Sequence, residues 1–462
     1  MSNAYIGDKA FYRRILLVAV PIIIQNAITN FVSLLDNIMI GQVGTVEMSG
    51  VAISNQLLFV FNLFIFGAVS GAGIFGAQFY GNGDHEGVRH TFRFKMIACT
   101  GIALVGIAVF LLGGRFLIEQ YLLGEGSLED AAASLHYGQQ YMRVMLLGIL
   151  PFSWANTYAS TLRETGETVL PMKAGIVAVL VNLVFNYILI FGHFGAPKLG
   201  VVGAAIATVL SRFVELGIMV VWSHRHIERF PFFIGVYRSF SIPWDLAKRI
   251  IIKGTPLLIN EGLWASGIAT LNQCYSIRSL DVIAAININT TIWNVFSCIY
   301  LSMGNAIGIL VGQELGASRF EGAKDTARKM TVFSMGISLA VGALMYGISG
   351  AFPMLYNTTD AVRELAASFI RICAILTPSF ALTNALYFTL RAGGKTIVTF
   401  LFDSCFVWAL NLPVVYILSR YTAMPILPLF WIGQGMEVIK CIIGYVMVKK
   451  GVWIQNIVAQ KE

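Results

Sequence analysis

ILLVAVPIIIQNAITNFVSLLDNIMIG, residues 15–41, decides the class of the chain. The stretch is long and apolar, interrupted by one proline, Pro21, and one ionisable residue, Asp36. A helix needs roughly 20 mainly apolar residues to cross a bilayer, and this run is long enough. Eleven further apolar blocks follow it, the last near 426–448. The composition agrees: 57% of the 462 residues are hydrophobic, 12% are charged and the mean hydropathy is +0.73. A soluble protein carries about 25% charged residues. In lipid only helices or closed barrels satisfy the backbone, and a barrel requires alternating segments of about ten residues, which the chain lacks. The expected fold is an all-α polytopic membrane protein with twelve transmembrane helices. The polar leader with Lys9, Arg13 and Arg14 runs into a block too long for a signal peptide.

The net charge of +8 invites a nucleic-acid reading, but its placement opposes one. The stretches 81–95, 223–253 and 316–330 are basic, whereas 119–137 is acidic and 41–50 has no Lys or Arg. Basic loops stay cytoplasmic, so this alternation predicts that both termini are cytoplasmic, with no nucleic-acid partner and a membrane-lipid environment. The six cysteines are scattered through apolar blocks and read as small core residues. They form neither a disulfide framework nor a metal site.

The sequence repeats itself. At a shift of 235 residues Pro21 meets Pro256, Gly73 meets Gly308, Gln78 meets Gln313, Gly81 meets Gly316 and Arg93 meets Arg328. At a shift of 228, TLRETGET (161–168) meets TLRAGGKT (389–396), and Arg212 meets Lys440. Apolar composition alone matches Leu with Val; it does not match Gly with Gly and Arg with Arg. The expected architecture is two six-helix bundles, 1–235 and 236–462, with the basic stretch 223–253 as linker. Duplicated bundles are a transporter architecture.

PIIIQNAITNFVSLLDNIMIGQVG, GAGIFGAQFYGNGDHEGVR and the paired LR-x-x-G-x-T loops resemble the multidrug and toxic compound extrusion (MATE) transporters of bacteria, over essentially the whole chain. The resemblance implies a secondary exporter in the cell (inner) membrane. Such a protein moves small organic, cationic and amphiphilic compounds outward in exchange for H⁺ or Na⁺, acts as a monomer, needs no cofactor and is not an enzyme. A flippase for lipid-linked saccharides is the alternative within the same superfamily. It would favour a basic cavity for a pyrophosphate, and the acids Asp36 and Glu261 point the other way.

Site candidates follow from residue chemistry and from the resemblance. An acid inside the membrane normally faces protein or an aqueous cavity and marks an ion pathway. Asp36 is therefore the leading cation-coupling residue, its bland alternative being a structural acid near the outer mouth. Asn182 and Asn186 lie one helical turn apart and share a face. Thr208 is a plausible partner. The resemblance implies that these three surround Asp36, with Na⁺ as an alternative occupant to H⁺ and no other metal. Some family members carry a second acid where this chain has Asn186. Glu261 is the only acid inside the seventh block; it either lines the substrate cavity or serves a cation site in the second half. Phe380 stands near the place of the tenth-helix acid of sodium-coupled relatives. Pro21 and Pro256 are expected to kink their helices, with or without a role in switching. Arg212/Glu215 and Glu437/Lys440 read as local i,i+3 pairs, and Asp403 reads as a helix-end residue.

Other signals are discounted. GAGIFG (71–76) follows no strand and reads as close helix packing. His224 and His226 lack a third ligand. No Walker-type phosphate loop points to ATP.

Overall fold

The computed structural model describes residues 5–122 and 128–459, apart from the side chains of Val32, Ser33, Leu34, Asn37, Thr45, Leu128 and Leu280. Twelve long helices carry the described residues, with no strand among them. They are α1 (Lys9–Gly41), α2 (Thr45–Gly81), α3 (His85–Leu122), α4 (Leu128–Glu164), α5 (Val169–Phe191) and α6 (Val201–Arg225). The second set is α7 (Trp244–Ser276), α8 (Leu280–Gly316), α9 (Phe320–Ile348), α10 (Asp360–Ala392), α11 (Thr396–Tyr421) and α12 (Ile426–Lys449). Ten of these helices are long and apolar enough to cross a membrane. The other two, α4 and α7, are 37 and 33 residues long and carry more polar side chains. Large apolar side chains such as Leu112, Leu147 and Val105 stand exposed on helix surfaces, as lipid-facing positions do.

The helix bounds reproduce the repeat. Helix α1 starts at 9 and ends at 41; α7 starts at 244 and ends at 276, a displacement of 235 at both ends. Helices α2 and α8 show the same displacement at both ends, 45 to 280 and 81 to 316. Pro21 and Pro256 thus occupy equivalent positions inside helices of equal length, and both helices continue past them.

The chain forms two compact units. One holds Met1–Ile23, Ala77–Gly83 and Ile252–Glu462; the other holds Ile24–Gly76 and Asp84–Ile251. In the first unit, Ile15, Val18, Ala19 and Ile22 of α1 share a core with Met303, Ala306 and Leu310 of α8 and with Phe388 of α10. A further core gathers Tyr275, Ile292, Phe369 and Phe430. In the second unit, Phe61, Ile65, Cys99, Tyr141, Ile149 and Ala205 form the core of α2, α3, α4 and α6.

Two stretches that read as connector or chain end are tightly held. Within the second unit, Arg93 donates to the carbonyl oxygens of Val236 (2.9 Å) and Gly235 (3.0 Å), and Arg89 to that of Phe232 (3.2 Å). Arg229 meets Glu167 at 2.7 Å, and Phe232 and Phe233 are buried. Within the first unit, the tail after α12 buries Trp453, and the backbone N–H of Ile457 donates to Gln78 Oε1 at 2.8 Å. Gln78 also donates to the Ala392 carbonyl at 2.9 Å. Beside it, Gly81 and Gly316 sit so close to the opposing helix that a Cβ on either would strike the carbonyl oxygen of Gln313 or Gln78. The contact is reciprocal because these residues are repeat mates.

Candidate functional site

Helices α1, α5 and α6 bring the four sequence candidates together. Helix α6 can lie against α5 because Gly203 has no side chain: a Cβ there would be 2.6 Å from the Leu189 carbonyl oxygen. Asn182 and Asn186, on the same face of α5, are both buried. Asn186 Nδ2 donates to Asp36 Oδ1 at 2.6 Å and lies 3.2 Å from Asn182 Oδ1. Asn182 Nδ2 donates to Thr208 Oγ1 at 3.2 Å, and Thr208 Oγ1 donates to the Ala204 carbonyl at 3.0 Å. The chain of bonds runs from a carboxylate through two amides to a hydroxyl. The half-buried Asp36 thereby receives a hydrogen bond to a charged acceptor, the stronger kind.

One atom in the cluster lacks a partner: Asn186 Oδ1 is buried and accepts no hydrogen bond. A buried acceptor left unpaired costs about 1–3 kcal/mol, so this is a place where a bound cation or proton donor gains. The available donors are all oxygens, from a carboxylate, amides and a hydroxyl. That set suits a hard monovalent cation, and a carboxylate suits a proton equally well.

Charged and polar neighbours complete the site. Arg212 lies one helical turn past Thr208 on α6, and its charge acts on Asp36. It approaches Glu215 at 3.4 Å, as the i,i+3 spacing predicts, and its guanidinium lies 4.8 Å from the Phe152 ring centre. Tyr141 of α4 donates to Asn55 Oδ1 at 3.1 Å. A cavity of about 40 Å³ is lined by Thr208, Arg212, Asn62 and Phe152 among others. That is room for ordered water, which needs roughly 10–15 Å³ and polar partners.

Glu261 belongs to a different polar cluster, in the first unit. The charges acting on it are those of Arg391 and Asp403. Its neighbour Asn260 donates to Asp403 Oδ2 at 3.0 Å and accepts from Ser404 Oγ at 2.6 Å. Lys440 of α12 meets Asp403 Oδ1 at 2.5 Å and Glu437 only at 4.0 Å. The expected Glu437/Lys440 pair is thus secondary, and Asp403 is an interior residue of the cluster. It lies in a π-helical stretch, Leu401–Cys405, with a second one, Val407–Asn411, just before Pro413. Proline removes a donor and crowds the preceding turn, and π-turns are one accommodation of that.

Sequence reading also missed a buried ion pair. Lys95, counted with a basic loop, is fully buried in α3 and meets Glu164 of α4 at 2.6 Å. Ser160 and Thr161 add hydroxyls at 3.1 and 3.2 Å from the ammonium. Gly73 and Gly76 make the room: a Cβ at Gly73 would be 2.5 Å from Glu164 Oε1, and one at Gly76 would strike Oε2. The glycines of GAGIFG therefore admit a carboxylate. His224 and His226 turn to separate partners, Tyr158 and the Trp222 carbonyl. Among the described residues no group of three or more His, Cys, Asp or Glu could hold a metal.

Comparison with known proteins places these features in one family. The MatE family model matches residues 21–188 and 263–417. A Thermotoga maritima protein named "Probable multidrug resistance protein NorM" is 24% identical, over 92% of this chain and 89% of its own length. A NorM of Halalkalibacterium halodurans is 27% identical, over 93% and 92%. Among solved structures, a MATE protein in the bent conformation aligns with a TM-score of 0.85 at 19% identity, over 96% of both chains. A point mutant of the Vibrio cholerae MATE transporter VcmN aligns at 0.84 and 17% identity, over 97% of this chain and 98% of its own.

Proposed function

We propose, from the premise that the chain belongs to the MATE family of multidrug transporters, that it is a secondary active exporter driven by H⁺ or Na⁺. The observation that carries the coupling is the bond of Asn186 to Asp36 at 2.6 Å inside the α1–α5–α6 cluster. Asp36 takes the coupling cation, and Asn182, Asn186 and Thr208 hold and hydrate it. The exported compound is organic, cationic and amphiphilic. Both termini are cytoplasmic, the membrane is the bacterial inner membrane, and residues 1–235 and 236–462 act as two lobes of a monomer. Transport of this kind involves no catalytic residue and no cofactor.

The coupling is a matter of differential affinity. A ligand shifts a conformational equilibrium only by the difference in its affinities for the two states. The cluster joins three helices, so a change of occupant at Asp36 is felt at once on α1, α5 and α6. Pro21 and Pro256 are the expected hinges, and Glu261 attracts the positive substrate.

The test is ethidium transport in proteoliposomes, with a proton or a sodium gradient imposed separately. Wild type is expected to transport under one of them, and Asp36→Asn to lose that dependence while still inserting and folding. Wild-type-like coupled transport by the variant would remove Asp36 from the mechanism.

A further inference from the structure

Arg212 and Lys440 are repeat mates, each on the sixth helix of its half. Lys440 is committed: it is buried and sits 2.5 Å from Asp403. Arg212 has no such partner, because the repeat mate of Asp403 is Gly175, 228 residues earlier. Gln25 lies where that side chain would stand, its Nε2 3.3 Å from the Cβ position of Gly175. Arg212 contacts Glu215 at a long 3.4 Å, and its charge also acts on Asp36. The charge of Glu215 also acts on Arg163 of α4. The other titratable group facing the pair is Tyr141 of α4. Arg212 also borders the cavity of about 40 Å³ that reaches Thr208, the end of the Asp36 bond chain. The guanidinium therefore has a weak hold on Glu215, open space beside it, and an acid of the coupling cluster in its field.

We propose that Arg212 is a tethered competitor of the coupling cation: it turns from Glu215 toward Asp36 when the cation leaves, and returns to Glu215 when the next one binds. This rests on the antiport reading above and adds to it a residue that sets the affinity of the site. In the second half, Lys440 on Asp403 shows the engaged form of the same device. An acid already holding an internal cation has no place for an external one. Release is the step a tethered cation assists, since an emptied, half-buried carboxylate left without a counter-charge is costly.

The measurement is the cation concentration giving half-maximal ethidium transport in proteoliposomes, for whichever of H⁺ or Na⁺ drives wild type. Removing the charge in Arg212→Gln lowers that concentration by about tenfold, the order of magnitude of a single unit charge acting at an effective dielectric of about 20, and slows turnover. Glu215→Gln frees Arg212 for Asp36 and raises it. Arg212→Lys keeps it near the wild-type value. The opposite shifts are the signature, since a merely structural role moves stability and not both affinities in opposite senses. If Arg212→Gln fails to insert, the Glu215→Gln and Arg212→Lys arms decide. Equal half-maximal concentrations in all folded variants, or shifts in one direction, overturn the proposal. A wild type that moves ethidium under neither gradient overturns the antiport reading first, and this with it.

Discussion

Replacing Lys95 by Met probes the buried pair that the sequence hid. The ammonium is fully buried and both Glu164 oxygens lie within 2.7 Å of it. Met keeps most of the volume and removes the charge, leaving the carboxylate between Gly73 and Gly76 without its ammonium partner while Ser160 still donates to it. Breaking a buried pair by removing one partner costs about 3–5 kcal/mol. At about 2.1 cal/mol/K per residue of unfolding entropy, a chain of 462 residues loses roughly 1 °C of Tm per kcal/mol. Lys95→Met is then expected to melt about 3–5 °C below wild type. A thiol-reactive dye reads the transition, because five of the six cysteines are buried and become reactive on unfolding. The double variant Lys95→Met/Glu164→Leu removes both charges, and apolar replacement of a whole pair is often neutral or stabilising. It is expected to recover most of the loss. A single variant as stable as wild type, or a double variant worse than the single, would refute the assignment of Glu164 as a carboxylate that depends on Lys95.

Two further outcomes are checked by the same melt. Gly316→Ala drives a Cβ into the Gln78 carbonyl and is expected to cost about 1–3 kcal/mol as overpacking; an unchanged melting temperature contradicts the close crossing. Trp453→Ala empties a site in which the ring is about 1% exposed and is expected to cost about 3–5 kcal/mol; a neutral effect means that the tail does not belong to the core of its unit.

The helices were legible because bilayer thickness imposes a length that composition exposes, and the duplication was legible because Gly, Pro and Arg recur at a constant shift. The amide pair Asn182 and Asn186 was legible for a local reason, its i,i+4 spacing on one helix. What escaped were contacts between helices. Asp403 and Lys440 are 37 positions apart, and Lys95 and Glu164 are 69 apart. Such pairs depend on how each helix is rotated about its axis, which periodicity constrains poorly in a segment that is apolar all round. The glycines of GAGIFG carried a trace of one of them, since small residues mark where something approaches closely, but nothing local said that the approaching group was a carboxylate. Asp403 lies in a π-helical stretch seven residues into the helix that begins at Thr396, so a residue counted as a helix end stands inside a polar cluster.

The duplicated chain keeps its frame and alters its charges. Both first helices of the halves are 33 residues long with a proline at the same place, and both second helices end in the same glycine contact. Against that constant frame the acids differ: Asp36 has no acidic mate in α7, and Asp403 has only Gly175 in α5. One half therefore carries an acid paired to its own lysine, and the other an acid tied to neutral amides with an arginine held off at Glu215. Two equally loaded halves would bind two cations with equal claim. Under the proposed coupling, divergence at Asp36, Gly175 and Asp403 leaves one site open to exchange. Helix α1 adds the mechanical half of the argument. Ile15, Val18, Ala19 and Ile22 belong to the core of one unit, and Asp36 belongs to the other, with Pro21 two residues before the changeover at Ile23. A proline removes one backbone hydrogen bond from the helix it sits in, so in the proposed cycle α1 is expected to bend at Pro21, between Asp36 and the segment 15–19.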